Sequence, residues 1–66
     1  MLYDLYKGTI KDFENSEGEL IKGRVSKAWL RGFFLAREIK TANVKEAIDG
    51  DLIPYKDGIL WIEEAM

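Results

Sequence analysis

Neither cysteine nor histidine occurs anywhere in this chain, and that double absence limits its fold and chemistry more than any motif it contains. No disulfide can staple it, no thiolate can act as a nucleophile, no zinc ribbon can form, and no imidazole can serve as base or ligand. At 66 residues, a domain buries only about 60% of the surface its unfolded chain exposes. Ordering entropy near ~1.5 kcal/mol per residue has to be met by packing alone. The 47% hydrophobic content and single proline suit one folded domain, residues 1–66, with no linker, repeat or low-complexity stretch. The segment Met1-Leu2-Tyr3-Asp4-Leu5-Tyr6-Lys7 has no basic region ahead of an apolar run. No stretch nears the ~20 apolar residues that span a bilayer. The expectation is a cytoplasmic protein with no membrane partner.

Charge is divided sharply along the chain. Residues 1–21 carry −3, residues 22–45 carry +6 and residues 46–66 carry −5. The middle segment holds Lys22, Arg24, Lys27, Arg31, Arg37, Lys40 and Lys45 against Glu38 alone. Such a block can form one positive face on a chain whose net charge is −2, or it can pair with the acidic flanks.

Alternation and turn residues predict an N-terminal β-hairpin: Tyr6 to Phe13, a polar turn through Gly18, then Glu19 to Val25. Tyr6, Ile10, Ile21 and Val25 would share one face. A helical reading competes, because Leu2, Tyr6, Ile10 and Phe13 also fall at spacings of four, four and three. Ser26 is a good N-cap for a helix from Lys27 to Lys40. Its apolar face would hold Ala28, Trp29, Phe33, Leu35, Ala36 and Ile39, with Gly32 permitting close approach. Leu30 and Phe34 fall towards the charged side, so either the hairpin covers them or they form an interface with another chain. Thr41 would cap a second helix, Ala42 to Asp49, with Val44, Ala47 and Ile48 buried and Gly50 as terminator. Leu52 to Tyr55, a turn at Lys56-Asp57-Gly58, and Ile59 to Ile62 make a C-terminal β-hairpin with Pro54 at an edge. The fold class expected is α+β, with an N-terminal β-hairpin, two central helices and a C-terminal β-hairpin.

Two stretches resemble known families. Gly8-Thr9-Ile10-Lys11-Asp12-Phe13, with its polar turn to Gly18, is similar to the first hairpin of cold-shock proteins. Glu19-Leu20-Ile21-Lys22 stands where that family carries stacking aromatics, so the likeness supports a hairpin rather than membership. From Ala36 to Met66 the order of helix end, tight turn, helix, Gly-Asp-Leu-Ile-Pro-Tyr and hairpin resembles the winged helix-turn-helix of the MerR and excisionase type. The segment between Ile48 and Leu52 is about one residue short of that pattern. This resemblance implies that the helix from Ala42 is a recognition helix, with Thr41, Asn43, Lys45 and Glu46 facing a major groove and Lys56 at the wing tip.

No catalytic residue, cofactor or metal site is read. Asp49 with Asp51, and Glu63 with Glu64, look like solvated turn and terminal carboxylates rather than a buried acid/base pair. The function expected is a small DNA-binding regulator, from a phage or other mobile element, that works as a dimer. Its contacts would be Lys22, Arg24, Lys27, Arg31, Arg37, Lys40, Thr41, Asn43, Lys45 and Lys56. The competing expectation is a non-catalytic protein-interaction module, a homodimeric adapter or an enzyme inhibitor, that uses Leu30 and Phe34.

Overall fold

The computed structural model describes residues 1–39 and 43–65. Their order is β1 (Leu2–Gly8), α1 (Ile10–Glu14), β2 (Glu19–Val25), α2 (Lys27–Ala36), α3 (Asn43–Ile48), β3 (Ile53–Tyr55) and β4 (Gly58–Ala65). The four strands form one antiparallel sheet in the order β2-β1-β4-β3. The α+β class and the two central helices are as expected. The two hairpins are not separate, because β1 pairs with β4 from Leu2↔Ala65 to Gly8↔Ile59. Pro54 lies on β3, an edge strand, where its missing N–H costs no ladder bond.

The first hairpin departs from expectation at its N-terminal strand, which runs from Leu2 to Gly8 instead of Tyr6 to Phe13. Thr9 opens a helical turn in which Asp12 N–H donates to Thr9 Oγ1 at 3.0 Å and Thr9 N–H donates to Asp12 Oδ2 at 2.9 Å. This reciprocal capping satisfies two backbone donors locally, which an unpaired strand continuation would leave to solvent. It carries Phe13 onto Trp61, edge to face at 5.3 Å, while Tyr6 stacks on the same indole at 5.9 Å. Trp61 alternates with Leu60 and Ile62, so α1 covers the sheet face opposite the main core. Gly18 is required there, since a Cβ would overlap the Trp61 ring. Gly58 is likewise confined by the Gly8 carbonyl on β1. Gly58 therefore belongs to β4, paired with Tyr55, and the turn is the two residues Lys56-Asp57 instead of the expected three.

The other sheet face carries α2 and α3. Ser26 caps α2 by accepting from Trp29 N–H at 3.1 Å. Leu30 and Phe34 are fully buried and join Tyr3, Leu5, Val25, Phe33, Val44, Ala47, Ile53, Leu60 and Ile62 in the core. The expected apolar face of this helix is thus rotated. Ala28, Trp29, Leu35 and Ala36 are exposed, and Leu30 and Phe34 are covered by the chain's own sheet, so they offer no interface. The helix also stops earlier than expected. Ile39 N–H donates to Phe34 O at 2.8 Å and Glu38 N–H to Leu35 O at 3.1 Å. Glu38 takes the left-handed conformation at φ 59, so the turn is a Schellman motif with Ile39 folded back on the core. Gly50, φ 111, ends α3 through the equivalent bonds from Asp51 to Glu46 and from Gly50 to Ala47. Val44 and Ala47 are buried and Ile48 is half-buried, as expected. The proposed cap Thr41, with Lys40 and Ala42, lies outside the described residues.

Phe34→Ala is expected to cost about 3–5 kcal/mol, against a total of roughly 3–10 kcal/mol for a chain this long. Urea unfolding followed by far-ultraviolet circular dichroism should show its midpoint lowered by the equivalent of that cost, whereas Leu35→Ala should stay within about 0.5 kcal/mol of the parent. Glu38→Gly should raise the urea midpoint by the equivalent of about 0.5–1 kcal/mol, because glycine carries no Cβ penalty at that φ.

Candidate nucleic-acid interface

Two residues of α2 and its C-cap, spaced four apart, Trp29, Phe33 and Arg37, stand one above another along the helix. Trp29 and Phe33 stack with ring centroids 5.3 Å apart and planes 23° from parallel. The Arg37 guanidinium carbon lies 3.7 Å from the centre of the Phe33 ring. Its Nη1 donates to the Phe33 carbonyl at 3.4 Å, using an acceptor that the helix end leaves open. Phe33 also meets Phe34 edge to face at 5.9 Å, which ties the column to the core.

Beside this column, Ile21 and Lys22 of β2 form the second wall of a cleft of about 460 Å³, closed by Trp29, Gly32, Phe33 and Arg37. Lys22 and Arg37 are cationic, and no carboxylate lines the cleft. Gly32 was expected to permit close helix packing. Instead, nothing lies within 4 Å of the position a Cβ would take, so it holds open the cleft floor.

Strand β2 reaches this wall through an irregular register, with shifts on either side of Leu5. Arg24 adopts φ 55 there, and its N–H donates to Asp4 Oδ1 at 2.9 Å. Such a bulge bends an edge strand and redirects its side chains.

Arg37 extends the site towards the other sheet edge. Its guanidinium beside the Tyr55 hydroxyl, with Lys56 as a smaller contributor, holds that phenol below its ordinary range. Lys56 Nζ also lies 5.2 Å from the Tyr55 ring centre. Tyr55 and Lys56 line a second cleft of about 250 Å³ with Lys7, Gly8, Asp57, Gly58 and Ile59.

The sequence-derived contact residues separate accordingly. Lys22 and Arg37 meet in the first cleft, and Lys56 joins through Tyr55. Lys27 and Arg31 are exposed, but Arg31 stands about 160° round α2 from Trp29 and so outside the cleft. Arg24 is exposed at the bulge, and Lys45 is exposed on α3 beside exposed Glu46. Asn43 opens α3, while Lys40 and Thr41 lie outside the described residues. Lys7 pairs with Glu19 at 3.1 Å. Among the described residues, none of Lys22, Lys27, Arg31, Arg37 or Lys45 is ion-paired with a carboxylate. Trp29, Gly32 and Tyr55 were not expected in a site. The signal for the first was the spacing of four that links Trp29, Phe33 and Arg37.

Tyrosine titration tests this geometry. Tyr6 is pushed up by burial, then by Asp4 and Glu63, so Tyr55 should ionise before Tyr6 when followed by tyrosinate absorbance. Arg37→Ala should move the Tyr55 step upward, towards the ordinary phenol value. Because the Tyr55 pKa is lowered, the stability it contributes is present above the ordinary phenol range and disappears as pH falls through the lowered value. At neutral pH this route contributes nothing.

No family model matches the chain, and no curated protein or solved structure matches it either.

Proposed function

We propose that this chain is a small cytoplasmic nucleic-acid-binding protein whose ligand lies along the α2–β2 cleft. The observation that carries this reading is the cleft itself, lined by Lys22 and Arg37 with no carboxylate, neither cation being neutralised within the described residues. An unpaired cation held next to an exposed aromatic suits a ligand with both phosphates and ring faces. Arg37 is held in place by two contacts, to the Phe33 ring and the Phe33 carbonyl. A guanidinium fixed in this way loses less freedom on binding phosphate than a free surface side chain would.

A DNA-binding regulator of a phage or other mobile element remains the finer form of this proposal. It is supported by the order α2, α3 and β3–β4, with Lys56 exposed in the hairpin turn. On that reading Lys45 approaches duplex phosphates, but Glu46, Asp49 and Asp51 follow it closely and would be repelled by them. The cleft is therefore the stronger contact surface. The protein-interaction alternative loses its main support, because Leu30 and Phe34 are internal.

Fluorescence anisotropy of a labelled oligonucleotide tests the proposal. With about three phosphates neutralised, affinity should fall roughly 20- to 40-fold between about 50 and about 200 mM salt. Lys22→Ala and Arg37→Ala should each weaken binding, and Arg31→Ala should weaken it less. Unchanged anisotropy with single-stranded and duplex nucleic acid alike at low salt would end the proposal.

A further inference from the structure

We infer that the ligand is a single strand, one of whose bases stacks on the outer face of Trp29; this rests on the nucleic-acid reading above. Three independent features converge on it. Trp29 is 37% exposed, although its inner neighbour Phe33 is stacked between it and Arg37. Arg37 ends the column on one side, and the part-exposed indole ends it on the other. A base provides the matching flat surface, and in a duplex those surfaces are already occupied by neighbouring bases, whereas a single strand can present one.

Gly32 supplies the second feature. In a helix interior glycine is less favourable than alanine, and close packing usually explains its presence. Here a Cβ would meet nothing within 4 Å, so packing gives no reason for glycine. What the missing side chain does provide is room beside Trp29 at the cleft floor.

The third feature is the placement of charge. Lys22 comes from β2, and Arg37 stands at the end of the column away from the indole, so both cations line the one cleft. Phosphates of a strand running from the stacked base along that cleft would meet them in turn. Sequence readout is not required, since every base has a ring face.

The second tryptophan makes the test clean. Trp61 is 3% exposed, packed between Tyr6 and Phe13, with Nε1–H donating to Glu63 Oε2 at 3.2 Å. Quenching of the chain's fluorescence by an oligonucleotide therefore reports Trp29. Oligodeoxythymidylate and oligouridylate of about ten nucleotides, and a blunt DNA duplex of the same length, would be titrated at low salt. Both single strands should quench and should bind more tightly than the duplex. Trp29→Ala should weaken single-strand binding roughly 5- to 150-fold, as expected for losing one stacked base, and Trp29→Phe should retain most of it. Gly32→Leu leaves Trp29 in place but fills the cleft. It should abolish quenching while the melting temperature holds or rises. Duplex binding that equals or exceeds single-strand binding, without quenching, would overturn this inference and leave the nucleic-acid proposal standing. Absence of binding by all three probes would overturn both.

Discussion

Pairing of β1 with β4 is the constraint on which the rest of this fold depends. It brings the first strand and the last into a seven-pair ladder at the centre of the sheet, and each then serves as the inner partner of an edge strand. Without it, β3 with Pro54 and the irregular β2 would be two isolated hairpins, each marginal in water. With it, Leu5, Leu60 and Ile62 lie side by side and supply the apolar floor onto which Leu30, Phe34, Val44 and Ala47 pack. The pairing also explains why Gly58 admits no side chain, since the Gly8 carbonyl occupies that space.

That floor decides how α2 is used. Once Leu30 and Phe34 face the sheet, a residue four positions along from Trp29 can be half shared between core and cleft, and Phe33 takes that place. It touches Phe34 on the core side and Trp29 and Arg37 along the helix. The cleft is therefore not a flaw in packing. It is the outer side of the same aromatic column that ties the helix to the core.

Much of this was legible in the residues and some was not, for physical reasons. Strand β2, the Ser26 cap, the buried stripe Val44 and Ala47, and the Gly50 terminator are local signals, and each stands where local chemistry puts it. The face of α2 was not legible because Lys27, Arg31 and Arg37 are the only charges from Lys27 to Arg37, so the apolar residues leave the helix with no sharp boundary to read. Its end was hidden because Glu38 does at the Schellman position what glycine usually does. The turn at Thr9 was masked by an alternation that also suits a strand, although Asp12 three residues later completes a capping pair. The β1–β4 ladder joins opposite ends of the chain, from Leu2↔Ala65 to Gly8↔Ile59, and no window of local sequence contains it. Of the site, the cations Lys22 and Arg37 could be nominated by charge alone, but their meeting across Trp29 and Gly32 needed the β2 bulge and the rotated helix.

The charge arrangement resolves an apparent conflict between an acidic chain and an anionic ligand. Asp4 and Glu63 face one another across the central ladder, where like charges are unfavourable. Each is satisfied separately, Asp4 by the Arg24 N–H and Glu63 by the Trp61 Nε1–H. Strand alternation puts them with Tyr6 and Trp61 on the α1 side of the sheet, and their field helps raise the Tyr6 phenol. Lys22 and Arg37 belong to the α2 side. The molecule is 18 Å across at its thinnest, about twice the distance over which exposed charges are screened at physiological salt. An approaching polyanion therefore responds to the face it meets and not to the net charge of −2. Asp4 and Glu63 on the α1 side repel phosphate from that face, whereas the cleft on the α2 side is lined by two cations and no carboxylate.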